Sequence, residues 1–192
     1  MPDPSTFPVP EQFETPRLSL RTFRVTDALQ LHEALVESLP QLRENLWFLP
    51  WVAQPQTFES ALARCSKAQE NFLLRLDLAY LAFERGTGRL IGSAGLHRTD
   101  WAMPKTEVGY WVRTSDTRKG YATELVNVLT AWGLSELAAK RVELVIDERN
   151  AGSRAVALRC GFQLEDVLRN NMQTLDGGLC NSCVYAKLPA AG

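Results

Sequence analysis

Ser115-Asp116-Thr117-Arg118-Lys119-Gly120-Tyr121-Ala122-Thr123-Glu124 opens directly into a long amphipathic segment. In that segment Ala122, Leu125, Val126, Leu129, Trp132 and Gly133 fall on one stripe at helical spacing, and Leu137 continues it. The first N–H groups of a helix have no partner inside it, so a glycine-bearing loop that leads into one is a ready anion site. Arg118 and Lys119 sit at the positive end of the helix dipole, an unfavourable place for cations unless something anionic docks between them. The stretch reads as the seat of a phosphate-bearing ligand. The plainer alternative is a solvated turn whose glycine lets the chain bend.

Working outward, the segment before the loop, Thr106 to Arg113, reads as a strand, as do Leu78 to Glu84 and Leu90 to His97, the latter two joined by Gly86-Thr87-Gly88 as a hairpin turn. Further upstream, Leu18 to Phe23 alternates as a first strand. A helix starts at Thr26-Asp27, with Leu29, Leu31, Leu35 and Leu39 as its apolar set and an end near Pro40, and a second spans Phe58 to Leu74. After the loop helix come a strand at Arg141 to Asp147, a short helix at Ser153 to Arg159 stopped by Gly161, and strands at Gln163 to Leu168 and Ser182 to Leu188. Residues 1–16, with Pro2, Pro4, Pro8, Pro10 and Pro16, read as an irregular lead-in. An antiparallel meander followed by a strand-helix-strand crossover predicts an α/β fold with one mixed, mostly antiparallel sheet and flanking helices, in a single domain over 1–192.

Composition bounds the function. With 45% hydrophobic and 22% charged residues the chain has the make-up of an ordinary globular protein. A net charge of -1 argues against nucleic acid as its main partner. No apolar run reaches the length of a membrane span, and Met1-Pro2-Asp3-Pro4 lacks the features of a signal peptide, so the expected location is the cytoplasm, away from membranes. Cys65, Cys160, Cys180 and Cys183 are expected as free thiols. Cys180 and Cys183 have the spacing of half a zinc site, but with no second close pair and only His32 and His97 to complete one, no metal is expected.

Several stretches in shared order and spacing carry a resemblance over nearly the whole chain: Glu14-Thr15-Pro16-Arg17-Leu18-Ser19-Leu20-Arg21, the Trp47 to Trp51 segment, Leu90-Ile91-Gly92, Glu107-Val108-Gly109-Tyr110-Trp111-Val112, the Gly120 loop, and Asn150 through Phe162. In these the sequence resembles the GNAT superfamily of N-acetyltransferases, and within it the RimJ/RimL-like branch that acetylates ribosomal-protein N-termini. The resemblance implies the GNAT fold, with a splayed pair of strands, and acetyl-CoA as cofactor. The family's pyrophosphate loop, R/Q-x-x-G-x-G/A, becomes Thr117-Arg118-Lys119-Gly120-Tyr121-Ala122; Thr117 departs from the pattern, and Arg118 could supply the missing charge. Backbone N–H groups make most of such a grip. The resemblance further implies that Thr106–Arg113 and Arg141–Asp147 splay apart around the pantetheine arm, with Tyr110, Trp111, Val112 and Arg113 nearest to it. Asn150 and Ser153 match the family's N-x-x-S at the next helix, though both are also good helix-cap residues.

Acetyl transfer to an amine needs a base, polarisation of the thioester carbonyl and an acid for the thiolate. Glu107 is the candidate base, the alternative being a surface carboxylate on a half-exposed strand. Many relatives carry a tyrosine acid where this chain has Ala157, which leaves Ser153 as the candidate acid. Trp47, Trp51, His97 and Trp101 are candidates to border the acceptor, although the default reading of Trp47, Phe48 and Trp51 is core packing or a lid hinge. The implied function is acetyl-CoA-dependent acetylation of a protein or peptide α-amine. A small-molecule amine and a non-catalytic acyl-CoA-binding module are the alternatives, and a homodimer is the assembly allowed for.

Overall fold

The computed structural model describes residue 4, residues 7–174 and residues 176–190. Its centre is an eight-stranded sheet formed by β1 (Gln12–Glu14), β2 (Leu18–Thr22), β3 (Leu78–Glu84), β4 (Leu90–Asp100), β5 (Lys105–Val112), β6 (Arg141–Asp147), β7 (Gln163–Gln173) and β8 (Leu179–Lys187). The spatial order is β1-β2-β3-β4-β5-β6-β8-β7. Every neighbouring pair is antiparallel except β5 and β6, which run parallel because the helix α4 (Tyr121–Ser135) crosses over between them. The other helices are α1 (Ala28–Asn45), α2 (Pro50–Ala53), α3 (Phe58–Leu73) and α5 (Ala151–Arg159).

Period-two alternation in the central strands sends side chains to two separate cores. On one face Leu96, Val108, Val142 and Leu144 pack with Leu125, Val126 and Leu129 of α4 and Val156 of α5. On the other, Leu81, Phe83 and Trp111 pack with Leu31, Leu35 and Leu42 of α1 and Ala61 and Cys65 of α3. All four cysteines are free and buried.

The structure corrects the expected elements in four places. The lead-in is not wholly irregular: Gln12–Glu14 pairs with β2, and Phe13 is held edge-on by Tyr80 and Trp132 at 5.1 and 5.8 Å between ring centroids. Helix α1 passes through Pro40 to Asn45. Pro40 and Val36, whose carbonyl loses its usual donor, both lie on the exposed face where water can replace the bond, while Leu42 beyond them is buried in the core. Leu29 is exposed, and the buried stripe of α1 is instead Ala28, Leu31, Ala34, Leu35, Ser38 and Leu42. Finally, β4, β7 and β8 run longer than expected. The extensions contain register shifts, and β7 is an edge strand exposed along most of its length, so no alternation marks it in the sequence.

Candidate active site

The sheet forks between β5 and β6. They pair at Lys105–Arg141, Thr106–Val142 and Glu107–Glu143, and no further pair joins them among the described residues. Each strand keeps its outer partner past that point: β5 stays with β4 as far as Val112–Gly92, and β6 stays with β8 as far as Asp147–Ser182. The inner edges of both strands therefore face each other with unspent backbone groups. A cavity of about 860 Å³ opens on the fork, lined by Glu107 to Trp111 of β5, Leu144 to Asp147 of β6, and Asn150 and Ser153 at the start of α5.

The Gly120 loop lies at the end of β5. Arg118 and Gly120 both take left-handed backbone angles, φ 62° and 86°, a conformation that suits glycine and strains a side-chain-bearing residue. Among the described residues the backbone N–H groups of Arg118 to Thr123 have no hydrogen-bond partner; the first helical bond is Glu124 N–H to the Gly120 carbonyl. The side chains around the loop are spent on its shape. Lys119 pairs with the buried Asp116 at 2.7 Å, and the Thr117 hydroxyl donates back to the Thr114 carbonyl at 2.9 Å. Arg118 has no ion-pair partner among the described residues.

Arg17, which no motif marks as part of the site, reaches the loop from the position just before β2. It donates to the Lys119 carbonyl at 2.8 Å, pairs with Glu124 at 2.7 Å and lies 4.5 Å over the Tyr121 ring. Burial works against ionisation of Glu124, but the bonds from Thr15 and Arg17 outweigh it and hold the carboxyl below its ordinary range. The signal was the Glu14 to Arg21 stretch, whose purpose only the fold reveals. On the other flank Glu37 of α1 binds Arg113 at 2.5 Å and the Ser115 N–H at 3.0 Å, so the Arg113 side chain ties α1 to the loop. Burial opposes this ionisation too; the Ser115 and Arg113 bonds outweigh it and pull the Glu37 carboxyl to about 2.

The opposite end of the cavity is built from side chains. Cross-strand partners on β4 and β5 set a ladder on the α1/α3 face: Ser93 opposite Trp111, Gly95 opposite Gly109, and His97 opposite Glu107. The two glycines make a slot for the imidazole. A Cβ on Gly109 would lie 2.7 Å from His97 Cδ2, and one on Gly95 2.9 Å from its Cε1. His97 Nδ1 bonds the Asp77 carboxylate; because a carboxylate only accepts, Nδ1 carries a proton, and in the neutral ring the lone pair is then on Nε2. Glu107 is ion-paired with Arg98. Burial raises the Glu107 carboxyl above its ordinary value, with Arg98 opposing.

Ser153 is held at the fork by its own backbone, since its N–H donates to Asn150 Oδ1 at 2.9 Å. Both roles weighed for Asn150 thus begin from one geometry: it caps α5 and lines the cavity. Tyr110 points away from that ladder into the α4 face, its hydroxyl buried without a hydrogen-bond partner among the described residues. Burial pushes that phenol up to about 12, with Ser153 as the nearby polar group acting against the shift. Trp51 and His97 line the cavity together with Glu107, Trp111 and Ser153. Trp47 and Trp101 do not. Trp47 is buried beside a smaller cavity of about 320 Å³ with Asp147 and Arg149, and Trp101 packs against Phe7 at 5.5 Å between ring centroids.

A mixed sheet forked beside a loop of free amides defines an acyl-transfer scaffold of GNAT type, and residues 17–163 match the family described as the acetyltransferase (GNAT) domain. The chain belongs to that family. Among named relatives, the Bacillus subtilis protein YdaF, whose name assigns it provisionally to ribosomal N-acetyltransferases, is 26% identical over 171 residues, covering 89% of this chain and 90% of YdaF. YoaA of the same organism, an uncharacterised N-acetyltransferase, is 34% identical over 88 residues, so the match spans 46% of this chain and only 50% of YoaA. Among solved structures, the ribosomal L7/L12 α-N-protein acetyltransferase RimL in complex with coenzyme A superimposes with a TM-score of 0.85 at 19% identity, over 95% of this chain and 100% of that one. The microcin C7 self-immunity acetyltransferase MccE, in complex with acetyl-CoA and AMP, gives 0.83 at 21% identity over 94% and 97%. At these identities the two structures share the fold.

Proposed function

We propose that this acetyltransferase moves the acetyl group of acetyl-CoA onto a primary amine, and that the amine is the free N-terminus of a protein or peptide. The observation that carries the donor side is the continuity of the unpaired β5 edge with the free N–H groups of Arg118 to Thr123. A pantetheine arm adds to such an edge as a further strand, with Tyr110 to Arg113 nearest to it, and a pyrophosphate takes the free loop amides from Arg118 onward, while Thr117 shapes the turn through its bonds to the Thr114 carbonyl. When bound, acetyl-CoA supplies a thioester whose C–S bond breaks as the C–N bond of the amide forms.

The chain's own groups then have separable tasks. His97 Nε2 and the Glu107 carboxylate stand on opposite strands at the mouth of the fork, where either takes the proton that the amine sheds. Ser153, on the fork side of α5, donates its hydroxyl hydrogen bond toward the departing sulfur. A thiol of ordinary pKa near 8.5 leaves with little assistance, so no stronger acid is required and Ala157 costs the reaction little. The α-amine is favoured by the same economy: with a pKa of about 7.7–8.0 it is roughly 10–20% free base at pH 7, whereas a lysine is about 0.04% so.

The test pairs peptides with a free N-terminus and a blocked lysine against peptides with the reverse, following acetyl transfer by mass spectrometry and thiol release. Transfer to the free N-terminus is expected. Preference for the lysine peptides would overturn the α-amine reading. Rapid acetylation of a small amine with neither peptide accepted would move the function to small molecules, a reading that the fold shared with MccE keeps in view.

A further inference from the structure

The cavity contains a cation that makes no ion pair within the described chain. Among the carboxylates lining it, Glu107 is ion-paired with Arg98 and Asp147 with Arg149 at 2.6 Å, and Asp77 accepts the hydrogen bond of His97 Nδ1. Lys67, on the rim, pairs with Glu70 at 2.8 Å. Arg64 of α3 also lines the cavity, yet it makes no ion pair or hydrogen bond among the described residues. Its guanidinium carbon lies 3.5 Å from the centroid of the Trp51 ring. At that distance the indole covers one face of the guanidinium and leaves its in-plane N–H donors unspent. Burial lowers this arginine to about 10, with Cys65 and the Asp77 carboxylate acting the other way.

An unpaired, partly desolvated guanidinium is costly to keep unless a ligand answers it. Its planar fork matches a carboxylate in two parallel hydrogen bonds. A phosphate dianion would call for a second free cation or a cluster of backbone amides, and the lining of this end of the cavity offers neither among the described residues. We propose that Arg64, steadied by Trp51, is an anion subsite that selects acceptors bearing a carboxylate near the reacting amine. Resting on the α-amine reading above, the preferred acceptors are peptides with Asp or Glu next to or close behind the free N-terminus. Trp51 thereby acquires a specific role: it orients the arginine.

The experiment measures kcat/KM at saturating acetyl-CoA for peptides that differ only by Glu or Gln at the second and third positions. Wild type, Arg64→Met and Arg64→Lys are compared, with the acetyl-CoA affinity of each measured by calorimetry as the control for folding. The wild type is expected to favour the Glu peptides by tenfold or more, mainly through KM. Arg64→Met, which keeps a long apolar side chain over Trp51, should bring them down to the level of the Gln peptides, and Arg64→Lys, which keeps the charge without the fork, should fall between. No preference in the wild type, or a preference that survives in Arg64→Met, overturns the subsite. If neither peptide is acetylated while acetyl-CoA still binds, the α-amine reading has failed, and the same variants are compared on 4-aminobutyrate and butylamine. Equal rates on those two amines in the wild type would overturn the subsite as well.

Discussion

The two ends of the candidate active-site cleft are made of different material. At the Gly120 loop the groups left free are backbone amides, and nearly every side chain nearby is consumed in holding the turn: Arg17 on the Lys119 carbonyl, Lys119 on Asp116, Glu37 on Arg113 and Ser115. At the other end the backbone is locked in the β4–β5 ladder, and what remains free among the described residues is carried by side chains: the Nε2 of His97, the donors of Arg64, the hydroxyl of Ser153. A backbone site tolerates sequence change as long as the turn survives. A side-chain site can be retuned one residue at a time, which is how one scaffold serves different acceptors.

The largest effect expected from breaking this contrast lies at the backbone end. Gly120→Glu places a side chain on a residue at φ 86° and a negative charge against the pyrophosphate, so acetyl-CoA affinity should fall by roughly a hundredfold or more in calorimetric titration of a protein that remains folded. Unchanged affinity would place the phosphates elsewhere.

At the side-chain end, Gly109→Ala should act through a neighbour. Its methyl would meet the His97 ring, so turnover should drop on the order of a hundredfold, as in His97→Gln, with acetyl-CoA binding retained. Glu107→Gln, which leaves His97 in its slot, should cost less. If Glu107→Gln proves the more damaging across pH 6 to 9, the carboxylate is the proton acceptor and the imidazole only lines the pocket.

Ser153→Ala sharpens the boundary between the two ends. Loss of one hydrogen bond to a charged sulfur costs about 1.5–3 kcal/mol, or roughly one to two decades in kcat, and the reaction should stay measurable. Complete loss of turnover in a variant that still binds acetyl-CoA would give Ser153 a larger share than this.

The smallest effect concerns how the loop is fastened. Glu37 has its folded pKa near 2, below its unfolded value, so its bonds to Ser115 and Arg113 stabilise the fold fully above about pH 4.5 and progressively less as pH falls toward 2. Because the side chain is partly exposed, Glu37→Gln should cost no more than about 1 kcal/mol at neutral pH. Its denaturant midpoint should converge with that of the wild type as pH is lowered through that window. A constant gap between the two would show that the carboxylate's charge is not what fastens α1.

Much of the fold was legible because hydrophobic period tracks burial directly. Arg141–Asp147 has the bounds read from alternation, Leu78–Glu84 those read from its hairpin with the next strand, and α4 buries Leu125, Val126, Leu129 and Gly133 where helical spacing put them. The failures have one cause, tertiary packing overriding a local rule. Phe13 gains aromatic partners that make a strand among prolines, and Leu42 draws α1 past Pro40. The site divides in the same way. Gly120, Asn150, Ser153 and Glu107 could be named from motif and spacing, but Arg17, Asp77 and Arg64 could not, since each acts on residues distant in sequence or on a cavity assembled from several elements.

The sequence by itself determined the mixed sheet, the crossover and the loop of free amides, because these follow from periodicity, glycine conformation and helix-end hydrogen bonding, all local along the chain. Only the tertiary structure decided where β5 and β6 part, that Gly95 and Gly109 seat His97 between them, that Trp47 and Trp101 stand off the main cavity, and that Arg64 stacks on Trp51 with no ion pair among the described residues. Those outcomes depend on which charges and rings meet across strands and helices, and no local property of the chain encodes the meeting.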